Sequence, residues 1–231
     1  MANDAHGSPQ EAQARDGSPQ ASQRAVAAPH LQGQGEGARS GRLLHHLQQL
    51  LGGGTIYESY GMRKASPTVG MFIMPSDFVR FCADVDRYLS ESLEFISPEE
   101  SKWREVLSSN GNWGTYLIGR LGDVELQMLH HHDEATARRK WQSRVDRVDR
   151  DRLIFKLNDQ NGATEEDLLA FDALPLEHKL VFAAKDHPGV RCCRRIHCPR
   201  SCEFIPASWE PFGANRSFNV TEYINGCFGG R

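Results

Sequence analysis

Apolar positions along the chain fall into short runs whose period alternates between that of a helix and that of a strand. Leu43, Leu44, Leu47, Leu50 and Leu51 recur at helical spacing and Gly52-Gly53-Gly54 ends the run, which predicts a helix over 43–51. That helix could pack on the domain, bind a partner or lie on a membrane. His and Gln on its polar face, in place of Lys and Arg, weaken the membrane reading. Thr68–Met74 reads as a buried strand. Ser76 is placed to cap a helix carrying Phe78, Phe81, Cys82, Val85 and Leu89. Ser97-Pro98-Glu99-Glu100 has the cap, the first-turn proline and the carboxylates of a helix start.

Asn110-Gly111-Asn112 signals a turn, and Tyr116–Leu121 and Val124–Leu129 read as two strands of a hairpin turning at Gly122-Asp123. Asp133 caps a long helix through about Val148. Leu153–Leu157 is a strand, 158–162 a loop, Thr164 the start of a helix through Ala173, and Lys179–Ala184 a further strand. Strands separated by helices predict an α/β fold: one domain with a mixed, mostly parallel sheet and helices on both faces, the hairpin adding an antiparallel part.

Composition divides the chain. Residues 1–42 are rich in Ala, Gln, Gly, Ser and Pro, with Met1, Val26 and Leu31 as the only larger apolar side chains. Such a segment buries too little surface to offset the entropy of ordering and is expected to be a disordered tail. Its repeat, Gly7-Ser8-Pro9-Gln10 and again Gly17-Ser18-Pro19-Gln20, is too brief for a solenoid. The domain is expected over 43–226, with 227–231 a short tail. A net charge of −3 argues against nucleic acid as a partner. No apolar run approaches the roughly 18 residues of a membrane span. The first residues lack the basic and apolar pattern of a signal peptide, so the expected location is the cytoplasm. The six cysteines are then expected as thiols.

Several groupings could carry chemistry. Asp123 and Glu125, two apart, would share a strand face, where paired carboxylates hold a divalent cation or divide into acid and base. The alternative is a turn aspartate beside a solvent-facing glutamate. His130 follows at the far end of that strand, five residues or about 17 Å beyond Glu125, too far to ligate one ion together with Asp123 unless the chain bends. In His130-His131-His132-Asp133 neighbouring side chains alternate in direction and Asp133 serves as a helix cap, so His130 alone is taken as functional.

Trp141, Arg144 and Arg147 lie along one helical face and suit a phosphate or carboxylated sugar, unless Asp146, Asp149 and Asp151 pair with the arginines. Asp159 follows a strand, where open α/β sheets bind ligands, or sits in a plain turn. Cys192, Cys193, His197, Cys198 and Cys202 crowd together without a C-x-x-C pair. The spacing favours thiols, which Arg191, Arg194, Arg195 and Arg200 would activate, over the alternative of zinc stabilising a C-terminal lobe, and the sequence alone does not decide between them. No Walker loop, nucleophile elbow or dinucleotide fingerprint follows a strand, which disfavours ATP and dinucleotide chemistry. No residue is assigned as a metal ligand.

The run Ser66-Pro67-Thr68-Val69-Gly70-Met71-Phe72 resembles the SPTxGLF strand of a bacterial domain family of unknown function often labelled exopolysaccharide biosynthesis protein. Asp123-Val124-Glu125 with Met128-Leu129-His130, Lys140-Trp141 with Arg144 and Arg147, the loop from Phe155 to Gly162, Phe171-Asp172 with Leu174-Pro175, the strand from Lys179 to Lys185, and Arg216-Ser217-Phe218 with Tyr223 resemble its later motifs in order. The likeness runs from about Gly53 to Asn225.

It implies an α/β domain associated with building surface polysaccharide and supplies no reaction. Taken with the groupings above, Asp123, Glu125, His130 and Asp159 are the catalytic candidates and Ser66, Trp141, Arg144 and Arg147 the ligand-binding ones. The expected function is glycosyl or similar group transfer on a sugar phosphate or nucleotide sugar. A divalent cation is the one cofactor considered. In the family an apolar first strand ends in NNCWGG, whereas this chain has His45 to Gly54, HHLQQLLGGG. That departure suits the alternative function, a non-catalytic interaction module. Neither the reaction nor the oligomeric state is written in the sequence.

Overall fold

Two four-stranded sheets, one parallel and one antiparallel, are built from the described residues. The computed structural model describes residues 63–205 and 217–228, Tyr57, and the backbone of Gln49–Leu51. All of them belong to one unit. The expected tail, 1–42, and the start of the expected leucine helix, 43–48, lie outside the described residues.

In chain order the elements are β1 (Gln49–Leu51), β2 (Phe72–Ile73), α1 (Pro75–Ala83), α2 (Val85–Ser90), β3 (Glu94–Ile96), α3 (Arg104–Leu107), β4 (Leu117–Leu121), β5 (Val124–Met128), α4 (Glu134–Val145), β6 (Leu153–Asn158), α5 (Glu165–Ala173), β7 (Lys179–Ala183), β8 (Cys193–Arg195) and α6 (Val220–Phe228). The parallel sheet has the order β1-β6-β7-β8 and the antiparallel one β2-β5-β4-β3. The antiparallel sheet is thus inserted in the chain between two neighbouring strands of the parallel one.

This corrects the expectation of one mostly parallel sheet. The β4–β5 hairpin turns at Gly122, whose φ of +54° suits glycine. It then recruits β2 against β5 and β3 against β4, which closes it into a sheet of its own. A second correction concerns Gln49–Leu51. These residues form a strand paired parallel with Leu153–Phe155, not the end of a helix. The first strand is therefore present in this chain.

Capping chemistry explains most helix starts. The Asp133 carboxylate accepts the Thr136 amide at the head of α4, and Thr164 and Asp167 form a capping box on α5. Met74, not Ser76, precedes α1, which starts on Pro75. Asp84 then interrupts the expected single helix and caps α2 through the Arg87 amide. The box at Ser97 yields only a 3-10 turn, Pro98–Glu100, before the short α3. The expected strand Thr68–Met74 is mostly a turn over 67–70, and only Phe72–Ile73 pairs.

One core joins the two sheets. Leu121, Val124, Leu126 and Met128 meet Phe155, Leu157 and Val181 through Phe81 of α1 and Leu168 and Phe171 of α5. The Phe78 and Phe171 rings stack at 6.0 Å. Burial of each such side chain is worth about 2 kcal/mol. The other face of the parallel sheet, Ile154, Leu180 and Phe182, packs on Val220 and Ile224 of α6, so helices cover both of its faces. Cys227 and Phe228, expected in a tail, continue α6 and pack there.

Candidate functional site

The loop from Ser66 to Gly70 links two clefts: Thr68 lines one, and Val69 is held by an arginine that lines the other. Gly70 has a φ of +84°, which bends the chain sharply. A Cβ at Gly70 would lie 3.7 Å from the rings of both His130 and His131. Buried Ser66 and Thr68 share a hydroxyl hydrogen bond of 2.9 Å. Arg144 donates through Nη1 to the Val69 carbonyl at 2.7 Å, and Arg147 reaches the Lys64 carbonyl at 3.5 Å.

The first cleft, about 160 Å³, lies at the carboxyl end of β6. Thr68, Lys156, Asn158, Gln160 and Asn161 line it with polar groups, against apolar walls that include Phe72 and Phe78. A polar chain runs along this edge: Lys156 donates to Asn158 at 3.2 Å, Asn158 to Gln160 at 3.1 Å, and Gln160 to the Ile205 carbonyl at 2.7 Å. Lys156 is only 3% exposed.

The second cleft, about 590 Å³, follows α4 and is lined by Arg63, Arg139, Lys140, Gln142, Ser143, Arg144, Asp146 and Arg147. Burial and the like charge of Arg147 hold the Arg144 guanidinium below its ordinary range. Burial, with Lys140 and Arg144 nearby, holds the His131 imidazole neutral further down in pH than usual.

The structure gathers four of the eight candidate residues, Ser66, His130, Arg144 and Arg147, around this loop. Trp141 is a core residue, 3% exposed, and lines neither cleft. Asp123 lies in the hairpin turn rather than on the strand. It accepts the Tyr88 hydroxyl at 2.7 Å, which holds its carboxyl low, while burial and that bond push the Tyr88 phenol up to about 12. Glu125 is buried and accepts the Ser101 hydroxyl at 2.6 Å and the Lys102 amide at 2.9 Å. Lys102 links the two, since its ammonium donates to the Asp123 carbonyl. Asp159, at the end of β6, accepts the amides of Ala184 and Ile205, each at 2.7 Å. None of Asp123, Glu125, His130 and Asp159 lines either cleft.

A shared pattern explains these placements. Asp77 accepts the Glu125 amide, together with Lys102, Trp103 and Arg80, and Asp172 accepts the Cys192 amide and Arg191. With Glu125 and Asp159 they are buried carboxylates that tie backbone amides of connecting segments to a sheet or helix, so their charge is met inside the protein.

The region from 48 to 203 matches the model of a domain of unknown function, DUF1919. The chain belongs to this family. It is also similar to an uncharacterized protein of Haemophilus influenzae, 34% identical over 126 residues, and it spans about half, 54%, of that relative's length. Every residue lining the two clefts falls inside the DUF1919 region.

Lys156, Asn158, Gln160, Thr68, Arg63, Arg139 and Lys140 line the clefts without having been site candidates, although Thr68, Lys140 and the loop through Asn158 and Gln160 fall within the motifs quoted above. Lys156 left a trace, as a charge inside the otherwise apolar run Leu153–Leu157. The cysteines behave differently from the expectation of activated thiols. Burial and the Asp172 carboxylate push the Cys192 thiol up to about 12, and burial raises Cys193, Cys198 and Cys227. Arg191, meanwhile, pairs with Asp172, and Arg195 with Asp186. Among the described residues no three His, Cys, Asp or Glu side chains could hold a metal ion together. No helix among them is long and apolar enough to cross a membrane.

Proposed function

We propose that this DUF1919 domain binds a sugar phosphate or nucleotide sugar in the cytoplasm and serves the building of bacterial surface polysaccharide by glycosyl or similar group transfer. The observation that carries the reading is that one arginine links a small polar cleft to a cationic one. Thr68 lines the first, and the carbonyl of the next residue, Val69, is held by Arg144 of the second. The small cleft sits where α/β sheets commonly bind ligands, beyond the carboxyl end of a strand. Its hydroxyl, amide and ammonium groups suit sugar hydroxyls, and its apolar wall suits a ring face. Guanidinium groups on α4 suit phosphate. The resemblance to proteins labelled for exopolysaccharide biosynthesis points the same way.

Thermal unfolding with a panel of nucleotide sugars, with and without Mg2+ or Mn2+, tests it. A ligand-dependent rise in Tm is expected, and no rise with any of them counts against the reading.

One observation favours a second reading, a non-catalytic interaction module. The acidic candidates Asp123, Glu125 and Asp159 are engaged with protein donors and line neither cleft. Binding of a nucleotide sugar without turnover, in the presence of acceptor sugars and metal, would select it.

A further inference from the structure

We propose that the basic cleft along α4 is a diphosphate site, taking two linked phosphate groups in preference to one. The inference rests on the sugar-phosphate or nucleotide-sugar reading and narrows it to ligands that carry a diphosphate.

Charge balance is the first argument. Arg63, Arg139, Lys140, Arg144 and Arg147 line the cleft against one carboxylate, Asp146. The Asp146 carboxylate accepts the Gln142 amide at 2.8 Å. Near the end of α4, Asp149 meets Arg152 at 3.9 Å, and Arg150 pairs with Asp86 at 2.7 Å. Among the described residues no carboxylate pairs with Arg63, Arg139, Lys140 or Arg144. The self-neutralised face that Asp146, Asp149 and Asp151 could have made is not formed around these four. Like charges held this close repel one another, and a dianion or trianion placed among them removes that repulsion.

Spacing is the second. Lys140 and Arg144 are one helical turn apart, and a rise of about 1.5 Å per residue spreads the row from Arg139 to the end of α4 over roughly 10 Å. One phosphate is too compact to meet cations along such a row. Two linked phosphates extend along it.

Preorganisation is the third. Neutral partners hold the guanidinium groups. Arg139 donates to the Thr136 hydroxyl at 2.9 Å, Arg144 to the Val69 carbonyl at 2.7 Å and Arg147 to the Ser143 hydroxyl at 2.6 Å. The bonds of Arg139 and Arg144 fix their guanidinium groups without cancelling the charge, so little ordering entropy is left to lose on binding. Beside them His131 is buried, and its Nδ1 has no hydrogen-bond partner among the described residues.

Calorimetric titration of the full chain with inorganic phosphate, pyrophosphate, uridine monophosphate and uridine diphosphate at one pH and ionic strength tests this. Each diphosphate should bind at least about tenfold tighter than its monophosphate counterpart. Arg63→Gln and Lys140→Gln alter exposed side chains and should each weaken pyrophosphate about tenfold, the loss of one charge-assisted contact, with a smaller effect on phosphate.

Equal affinity for phosphate and pyrophosphate, unchanged pyrophosphate binding in both variants, or tighter binding of a single-stranded oligonucleotide than of any diphosphate would overturn the proposal. Phosphatidylcholine vesicles with and without a polyprenyl diphosphate separate a lipid source from a nucleotide one. Pyrophosphate binding with these features but no gain from an attached sugar keeps the diphosphate site and removes the carbohydrate reading. Nucleotide-sugar binding that both variants leave intact does the reverse.

Discussion

Arg144 donates to the carbonyl oxygen of Val69 at 2.7 Å, so the helix that carries the basic cleft also fixes the loop that lines the small one. Arg144→Lys keeps the charge but loses the planar fork that holds this bond while presenting further donors to a ligand. The variant should lose about 1–2 kcal/mol of stability and bind phosphate ligands more weakly. Urea denaturation and a titration of the same sample check both. Wild-type stability and affinity together would show that the loop does not depend on Arg144.

Asp159 ties the end of β6 to β7 and to the segment at Ile205 through two amides. Asp159→Ala leaves both buried N–H groups without an acceptor, which should cost roughly 3 kcal/mol. A change of less than about 0.5 kcal/mol in urea denaturation would mean that the amides find other partners.

How far the sequence could be read follows from which signals are local. The β4–β5 hairpin and the β6–α5–β7 unit were legible because their periods, turn residues and caps lie within a few residues of each other. The division into two sheets was not, because it depends on β2 and β3, strands of two and three residues whose pairing partners are distant in sequence. Asp123 and Glu125 seemed to share a strand face. The turn at Gly122 takes in Asp123, so the alternation begins only at Val124. Arg144 and Arg147 were legible as a spaced pair. Arg63 was not, because it joins them only through the fold.

Asp172 gives acid sensitivity with a definite sign. Burial pushes its carboxyl up, but the Cys192 amide and Arg191 outweigh burial and hold it well below the ordinary range. A depressed carboxyl contributes stability above its unfolded pKa, about 3.9, and loses it as pH falls towards the folded value. Stability should therefore fall below about pH 4 in the wild type and fall less steeply in Asp172→Asn. Parallel profiles would assign the acid limb to other groups.

His131 acts at higher pH. Burial, then Lys140, Arg144, His130 and His132, depress its imidazole, so the folded state favours the neutral ring. Stability from this group is present above about pH 6.5 and lost as pH falls through the lowered folded pKa. His131→Phe should flatten the stability profile between neutral pH and about pH 5. A phosphate ligand adds negative charge near this ring and should reduce the wild-type loss over the same interval. Chemical denaturation across pH, with and without pyrophosphate, reads both effects, and a wild-type profile already flat there would contradict the assignment.

The central claim is that the two clefts linked by the Arg144–Val69 hydrogen bond take the two parts of one ligand. Calorimetric titration of the full chain with a nucleoside-diphosphate sugar, its nucleoside diphosphate and the free sugar, in wild type and Thr68→Val, tests it most directly. The account predicts that the nucleotide sugar binds tighter than either part, and that Thr68→Val weakens it while leaving the nucleoside diphosphate unchanged. No binding of any nucleotide sugar, with or without Mg2+ or Mn2+, or equal binding with and without the sugar, would contradict it.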